Sequence, residues 1–306
     1  MPALTILLPV FDGARYLEAQ LESLLAQTYP DWVCLIRDDG SRDDSAAIAR
    51  GFAERYPQRF TVVQDALGNL GTVGCLNRLA THVETPLFAL CDQDDVWLAD
   101  KLWRTVDALR LLTASWDGPA LAFCDMTVAD SDLRTVASSF WDLMAARRYA
   151  QRLRGMPVIN AVAGCSMVGN RDLLHAAFPV PACAPMHDYW IGMVTAYAGR
   201  CTAIEDSLML YRQHGANQCG SASPRSLRAR TKARLRSLRT FRDEAARLRT
   251  IRKAMLTELL DRRVSSTDVA ACRLALAAEA GSPLDRLRFL ITKGIQPASA
   301  FVYWLA

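Results

Sequence analysis

Short apolar runs recur along this chain, each broken by a polar turn and followed by a helical pattern, and that alternation is the strongest limit on its fold. Apolar stretches at Leu4–Val10 and at residues 33–36, 60–63, 87–90 and 121–124 have strand length and are rich in branched and aromatic residues. Between them, Leu17, Leu21, Leu24 and Leu25 fall at helical spacing, and Ser45–Arg55 and residues 74–79 continue the pattern. Leu102, Val106, Leu109 and Leu112 then mark an amphipathic helix from Asp100 onward. Strands alternating with helices predict an α/β domain with a mainly parallel, mixed Rossmann-like sheet covered by helices on both faces. Ligands of such sheets bind beyond the carboxyl ends of the strands. Pro9 to Asp12, Asp38 to Ser41, Asp92 to Asp95 and Asp125 all follow predicted strands, so they are expected to converge on one sheet edge.

The densest of these groups is Asp92-Gln93-Asp94-Asp95, followed by Val96 and Trp97. Carboxylates this close repel one another unless something positive sits between them. A divalent cation such as Mg²⁺ or Mn²⁺ suits oxygen ligands and commonly shares them with substrate phosphates. A solvated acidic turn before a helix is the other reading of the same residues. No glycine-rich phosphate-binding loop is present, so a bound nucleotide would need its phosphates neutralised by another route.

Farther along, residues 163–170 read as a glycine-bounded strand and residues 171–178 as a short helix. His187-Asp188-Tyr189-Trp190 opens another apolar helix, where an aspartate can serve simply as a cap. Residues 201–204 and 207–211 read as two strands. Residues 131–156 carry Ser138, Ser139, Phe140, Trp141, Arg147, Arg148 and Tyr149, which suit either an acceptor-binding lid or a surface helix pair.

After residue 220 the composition changes, which places a boundary between a catalytic region at 1–220 and a C-terminal helical appendage at 221–306. Between Arg225 and Arg263 fourteen basic residues face only four acidic ones. Leu235, Leu238, Phe241, Leu248, Ile251, Met255 and Leu259 form an apolar stripe, so a long basic amphipathic helix is expected. Phe301, Tyr303 and Trp304 close the chain. Aromatic residues beside basic ones fit a peripheral membrane contact with anionic lipid. Packing as a cap on the sheet is the competing role. The nine cysteines include no C-x-x-C pair, and no apolar run nears the ~20 residues of a membrane span. A reduced, cytoplasmic protein, stationed at the inner face of the membrane if that contact forms, is expected.

Taken in order, these motifs resemble family 2 glycosyltransferases of the GT-A fold. The resemblance rests on Leu8-Pro9-Val10-Phe11-Asp12-Gly13 with Tyr16 and Leu17, Gln27-Thr28-Tyr29, Arg37-Asp38-Asp39-Gly40-Ser41, and Asn69-Leu70-Gly71. It continues through Asp92 to Trp97, Ala163-Gly164-Cys165, His187-Asp188 and Tyr211-Arg212-Gln213-His214-Gly215. The Asp92 and Tyr211 motifs are similar to the rhamnosyltransferase-like branch, which builds bacterial surface polysaccharides. The resemblance implies a nucleoside-diphosphate sugar donor and a glycan or lipid-linked acceptor. Pro9, Phe11, Asp38 or Asp39, Asn69, Asp92 and Gln93 would border the nucleotide sugar. Asp94, with Asp92 and His214, would hold Mg²⁺ or Mn²⁺, and Asp188 would be the catalytic base of an inverting transfer.

Three other functions are weighed against this one. An inactive glycosyltransferase-like scaffold would show a broken Asp-x-Asp or a missing base, and the chain shows neither. A nucleic-acid binder would use the arginine-rich segment, but no recognised binding module accompanies it, so no nucleic-acid partner is expected. A nucleotidyltransferase would carry a basic glycine-rich loop after the first strand, where Pro9 to Ala14 has no lysine.

Overall fold

The computed structural model describes residues 2–144, 146–150, 161–215, 238–282, 285, 288 and 289. Strands β1 (Leu4–Val10), β2 (Trp32–Asp38), β3 (Phe60–Val62) and β4 (Leu87–Leu90) form a parallel half-sheet in the order β3-β2-β1-β4. Helices α1 (Ala14–Leu25), α2 (Ser45–Arg55) and α3 (Gly71–Ala80) make the crossovers. Beyond β4 the sheet becomes mixed. With β5 (Val96–Trp97), β6 (Ala120–Ala129), β7 (Thr135–Ala137), β8 (Met167–Asn170) and β9 (Arg200–Arg212), the full order is β3-β2-β1-β4-β8-β6-β9-β5, with β7 on β6. β8 runs antiparallel to both β4 and β6, whereas β6 and β9 are parallel.

Alternation along β1 sorts the core into two layers. Leu4, Ile6, Leu8 and Val10 pack with Leu17, Leu21 and Leu24 of α1 and with Leu102, Val106 and Leu109 of α4 (Lys101–Thr113). Leu7 faces the other way, into a cluster with Leu76 and Leu79 of α3. That second layer also takes in Leu173 of α7 (Arg171–Ala177) and Trp190 and Ile191 of α8 (His187–Ala198). Met255, Leu256 and Leu259 of α9 (Leu238–Asp261) and Cys272 and Ala275 of α10 (Val269–Ala280) join it. The described part of the basic helix therefore buries its apolar stripe against α8. Residues 216–237 and 290–306, which hold the remaining basic run and the aromatic tail, lie outside the described residues.

Two strand limits differ from expectation. The strand predicted at 121–124 runs on to Ala129, so Asp125 lies within β6 rather than after it, at a register shift against β9. The two strands predicted at 201–204 and 207–211 are one strand, β9, whose irregular register absorbs the polar step between them. Two short helices, α5 (Phe140–Leu143) and α6 (Arg147–Ala150), follow β7. Buried Asp125 accepts from the Ser139 hydroxyl at 2.5 Å and the Trp141 amide at 3.1 Å, while Trp141 donates its indole N–H to Ala161 O at 2.9 Å. Asp125 and Trp141 thus anchor this segment to the sheet. No helix among the described residues is long and apolar enough to cross a membrane.

Candidate active site

The carboxyl ends of β1, β2 and β4 sit side by side. The parallel register puts Val10 opposite Asp38 and Leu7 opposite Leu90, so the loops at Phe11, Asp39 and Asp92 emerge at the same edge. The Gln93 amide ties two of them together. Its Nε2 donates to Phe11 O at 2.9 Å, and the Phe11 N–H donates to its Oε1 at 2.9 Å. Gly13 leaves room for this amide, since a Cβ there would collide with the Gln93 side chain. The Phe11 ring remains 44% exposed at the rim.

Asp38 and Asp39, indistinguishable as candidates in the sequence, have different surroundings. Asp39 is buried and hydrogen-bonded to Arg37, to the Leu70 N–H at 2.9 Å and to the Gly71 N–H at 2.7 Å. Its own carbonyl accepts from Asn69 Nδ2 at 2.9 Å. It therefore pins the start of α3 and the Asn69 turn. Arg37, itself buried, also holds Asp65 at 2.9 Å and the Gly68 carbonyl. Asp38 uses one oxygen, Oδ2, to accept from the N–H groups of Gly40 and Ser41 at 3.2 and 3.1 Å. Its Oδ1 is buried without a partner. An unsatisfied buried acceptor calls for an explanation, and a ligand N–H is one.

Asp94 and His214 meet at the next loop, from the far end of β9. His214 Nε2 lies 2.8 Å from Asp94 Oδ2, with the two side chains 12% and 16% exposed. The imidazole stacks on Tyr16 with ring centroids 4.6 Å apart. Arg212 lies over the same Tyr16 ring, and its Nε donates to Asp94 O at 2.7 Å while its backbone N–H donates to Asp95 Oδ1 at 3.0 Å. Asp95 is fully buried and its Oδ2 has no partner. Burial, reinforced by Asp92 and Asp94, pushes the Asp95 carboxyl well up. Burial pushes the Asp92 carboxyl up to about 6, with the Asp94 charge the next cause and His187 opposing.

This donor set fits a hard divalent cation. The Asp92 and Asp95 carboxyls are both raised by burial and by neighbouring carboxylates, the His214 imidazole lies against Asp94, and a buried Asp95 oxygen lacks a partner. Ligand atoms of Asp92, Asp95 and Cys165 lie within 4.8 Å of one another. Burial holds the Cys165 thiol protonated, which makes it a poor ligand for Mg²⁺ or Mn²⁺. Asp94 and His214, paired with each other at 2.8 Å, are not part of that cluster, so the structure brings into it only one of the three predicted ligands, Asp92, with a neighbour the sequence reading did not name as a ligand, Asp95.

Asp188 comes from a different element, the start of α8. It occupies the first turn of α8, half-buried, and its Oδ1 accepts from the Tyr189 N–H at 2.6 Å. Asp92 feels the charges of both His187 and Asp188, which places the β4 loop and the start of α8 together. His187 is only 5% exposed and its Nδ1 has no partner. Burial depresses its basicity. Its ring lies against Gly164, where a Cβ would strike it. The residue pattern alone did not single out His187, Arg212 and Arg37. Arg212 and Arg37 stand inside the quoted motifs, but their burial comes from strand pairings that charge and periodicity do not reveal.

Residues 5–176 match the family described as Glycosyl transferase family 2, and the chain belongs to it. It is a glycosyltransferase with an α/β GT-A fold, and relatives act in polysaccharide synthesis. An uncharacterized glycosyltransferase of Nostoc sp. is 26% identical over 230 residues, covering 72% of this chain and 67% of that protein. The Escherichia coli UDP-Glc:alpha-D-GlcNAc-diphosphoundecaprenol beta-1,3-glucosyltransferase WfgD is 28% identical over 98 residues, which is 32% of this chain and 37% of WfgD. The alignment to a Bacillus subtilis relative, EpsE, spans 39% of its length. Among solved structures, S. aureus TarS 1–349 in complex with UDP has a TM-score of 0.58 at 16% identity, covering 92% of this chain and 71% of TarS. The mannosyltransferase PcManGT from Pyrobaculum calidifontis, in complex with GDP-Man and Mn²⁺, has a TM-score of 0.55 at 19% identity, covering 99% and 84%.

Proposed function

We propose that the chain transfers a sugar, with inversion, from a nucleoside-diphosphate sugar to a hydroxyl of a lipid-linked glycan in bacterial surface polysaccharide synthesis. The observation that carries this reading is the meeting at one sheet edge of an unpartnered Asp38 oxygen, the Asp94–His214 pair and Asp188. Asp38 Oδ1 accepts an N–H of the base, and Phe11 offers its exposed ring face beside it. Asn69 and Pro9 border the nucleotide. Asp92, Asp94 and His214 would hold Mg²⁺ or Mn²⁺, which would supply positive charge to offset the negative charge of the diphosphate.

Asp188 accepts the proton of the acceptor hydroxyl as that oxygen bonds to the anomeric carbon and the bond to the diphosphate breaks. A single displacement inverts the anomeric configuration. The undecaprenyl diphosphate acceptor named for the E. coli relative supports a lipid-linked acceptor. The motif resemblance supports rhamnose as the transferred sugar. The basic and aromatic C-terminal residues support a peripheral contact at the inner face of the membrane.

The test is Asp188→Asn assayed with a panel of UDP, GDP and dTDP sugars. Transfer falls by roughly 10²- to 10⁴-fold, the usual worth of a general base, while nucleotide affinity is retained. Nucleotide binding lost to the same degree as transfer would make Asp188 a structural cap instead.

A further inference from the structure

The residues that follow the candidate base are gripped by helices outside the matched family region. That region ends at residue 176, yet Asp188 lies beyond it, and the next two side chains are engaged by two arginines, one in α9 and one just after it. The Tyr189 hydroxyl is hydrogen-bonded to Arg252. Arg252 in turn makes a two-point ion pair with Glu279 of α10, Nε to Oε1 at 2.6 Å and Nη2 to Oε2 at 3.3 Å. The pair is nearly sealed from water, its side chains 3% and 1% exposed. Arg262, just past the end of α9, lies over the Trp190 ring at 4.8 Å. It also donates to Ala176 O at 3.0 Å and Pro179 O at 2.5 Å, on the segment leading into α8. At the other end of α8, Tyr197 O accepts from the Asp268 N–H at 2.7 Å, and the Ser266 hydroxyl donates to Ala198 O.

Apolar packing already joins these helices through Met255, Leu256, Leu259, Cys272 and Ala275. An ion pair buried inside such an interface adds little stability over apolar residues of similar size, but it demands one geometry. Here that geometry is transmitted to Tyr189, whose backbone adjoins Asp188. We propose that Arg252, Glu279 and Arg262 are positioning residues for the reaction, fixing the first turn of α8 so that Asp188 points at the acceptor hydroxyl. This rests on the reading of Asp188 as the base. It gives the C-terminal helices a role in the transfer step itself, separate from any contact with a membrane. A base displaced by about 1 Å can cost on the order of a hundredfold in rate without weakening substrate binding.

The full-length chain carrying Arg252→Met with Glu279→Met tests this, because replacing both partners leaves no unpaired buried charge. Two measurements are made. Hydrogen exchange reports the amides of residues 187–190. Hydrolysis of whichever UDP, GDP or dTDP sugar the wild type turns over reports kcat and KM, with water as acceptor. We expect faster exchange at 187–190 and a kcat lowered roughly ten- to a hundredfold, with the donor KM unchanged. Tyr189→Phe, which removes only the hydroxyl, shifts both readouts in the same direction by a smaller factor and serves if the double variant does not fold. Unchanged exchange at 187–190 in folded variants, or a loss confined to KM, overturns the proposal. Failure of the underlying reading looks different, since Asp188→Asn would then keep full turnover while the exchange response of the Arg252 variants persists.

Discussion

The two adjacent aspartates at the end of β2 give the sharpest test of how the site divides binding from folding. Consider Asp38→Asn and Asp39→Asn, made separately. At position 38 the Gly40 and Ser41 N–H groups need an acceptor, so the amide oxygen stays with them. The –NH₂ group then replaces Oδ1, which we propose faces the nucleotide, so a donor would meet the donor N–H of the base. The loss is one charge-assisted hydrogen bond, about 1.5–3 kcal/mol, or roughly 10- to 150-fold in nucleotide affinity. Stability hardly changes, because the turn keeps its acceptor. At position 39 the carboxylate serves Arg37 and the Leu70 and Gly71 N–H groups, and the amide can satisfy only some of them. Breaking a buried pair typically costs about 3–5 kcal/mol. Arg37 keeps Asp65 and Gly68, so the loss should fall at or just below that range, about 2–3 kcal/mol. Calorimetric titration with UDP, GDP or dTDP in Mn²⁺ measures affinity, and denaturant melts measure stability. Wild-type affinity in Asp38→Asn, with Asp39→Asn stable but unable to bind, would refute the division drawn here.

The cation site makes its own predictions. Asp94→Ala and His214→Ala each abolish the stabilisation that Mn²⁺ gives in a thermal-shift assay; full activity of the wild type in chelator would remove the metal from the reaction. Because burial raises the Asp92 carboxyl to about 6, the folded state binds a proton that the unfolded chain has already released above its ordinary range near 3.8. Without metal, the Asp92 contribution is therefore favourable at low pH and is lost as pH rises from about 4 to 6. The stability difference between wild type and Asp92→Asn should follow that slope in the absence of metal and flatten when Mn²⁺ is added. Gly164→Ala pushes a methyl into His187 and should destabilise by about 1–3 kcal/mol, read from melts; an unchanged melt would mean that the imidazole is free to move aside.

Much of this architecture was legible because strand and helix periods differ and acidic loops punctuate the strands. β1, β2 and β4 follow directly from their apolar runs, and their parallel sense follows from alternation with helices, while the register that sets Val10 against Asp38 is read only from the structure. What the pattern could not give was the insertion of β8 between β4 and β6, or the pairing of β9 with β5, since antiparallel pairing leaves no periodic mark of its own. The β5–β9 pairing brings His214 to Asp94 across 2.8 Å and leaves Arg212 buried, donating to the Asp94 carbonyl. Asp125 was misplaced for a related reason: a bulge lets a buried carboxylate sit inside a strand if Ser139 and Trp141 supply its donors, and those donors come from a later segment.

Charge runs mislead in the same way. A stretch with fourteen basic residues reads as a solvated face, yet Arg252 is buried and Arg262 is engaged with Trp190. An arginine can be withdrawn from water only where a carboxylate, carbonyls or an aromatic face are already in place to receive it. For Arg252 those partners lie 27 residues ahead at Glu279 and on the preceding helix at Tyr189. Local composition carries no trace of either. The basic character of the C-terminal region therefore combines two physically separate things, and only the exposed part of it can serve a membrane. A variant that neutralises exposed Arg247 and Arg263 while keeping Arg252 and Arg262 separates them: binding to anionic vesicles should fall, and the hydrogen exchange of residues 187–190 should stay as it is in the wild type.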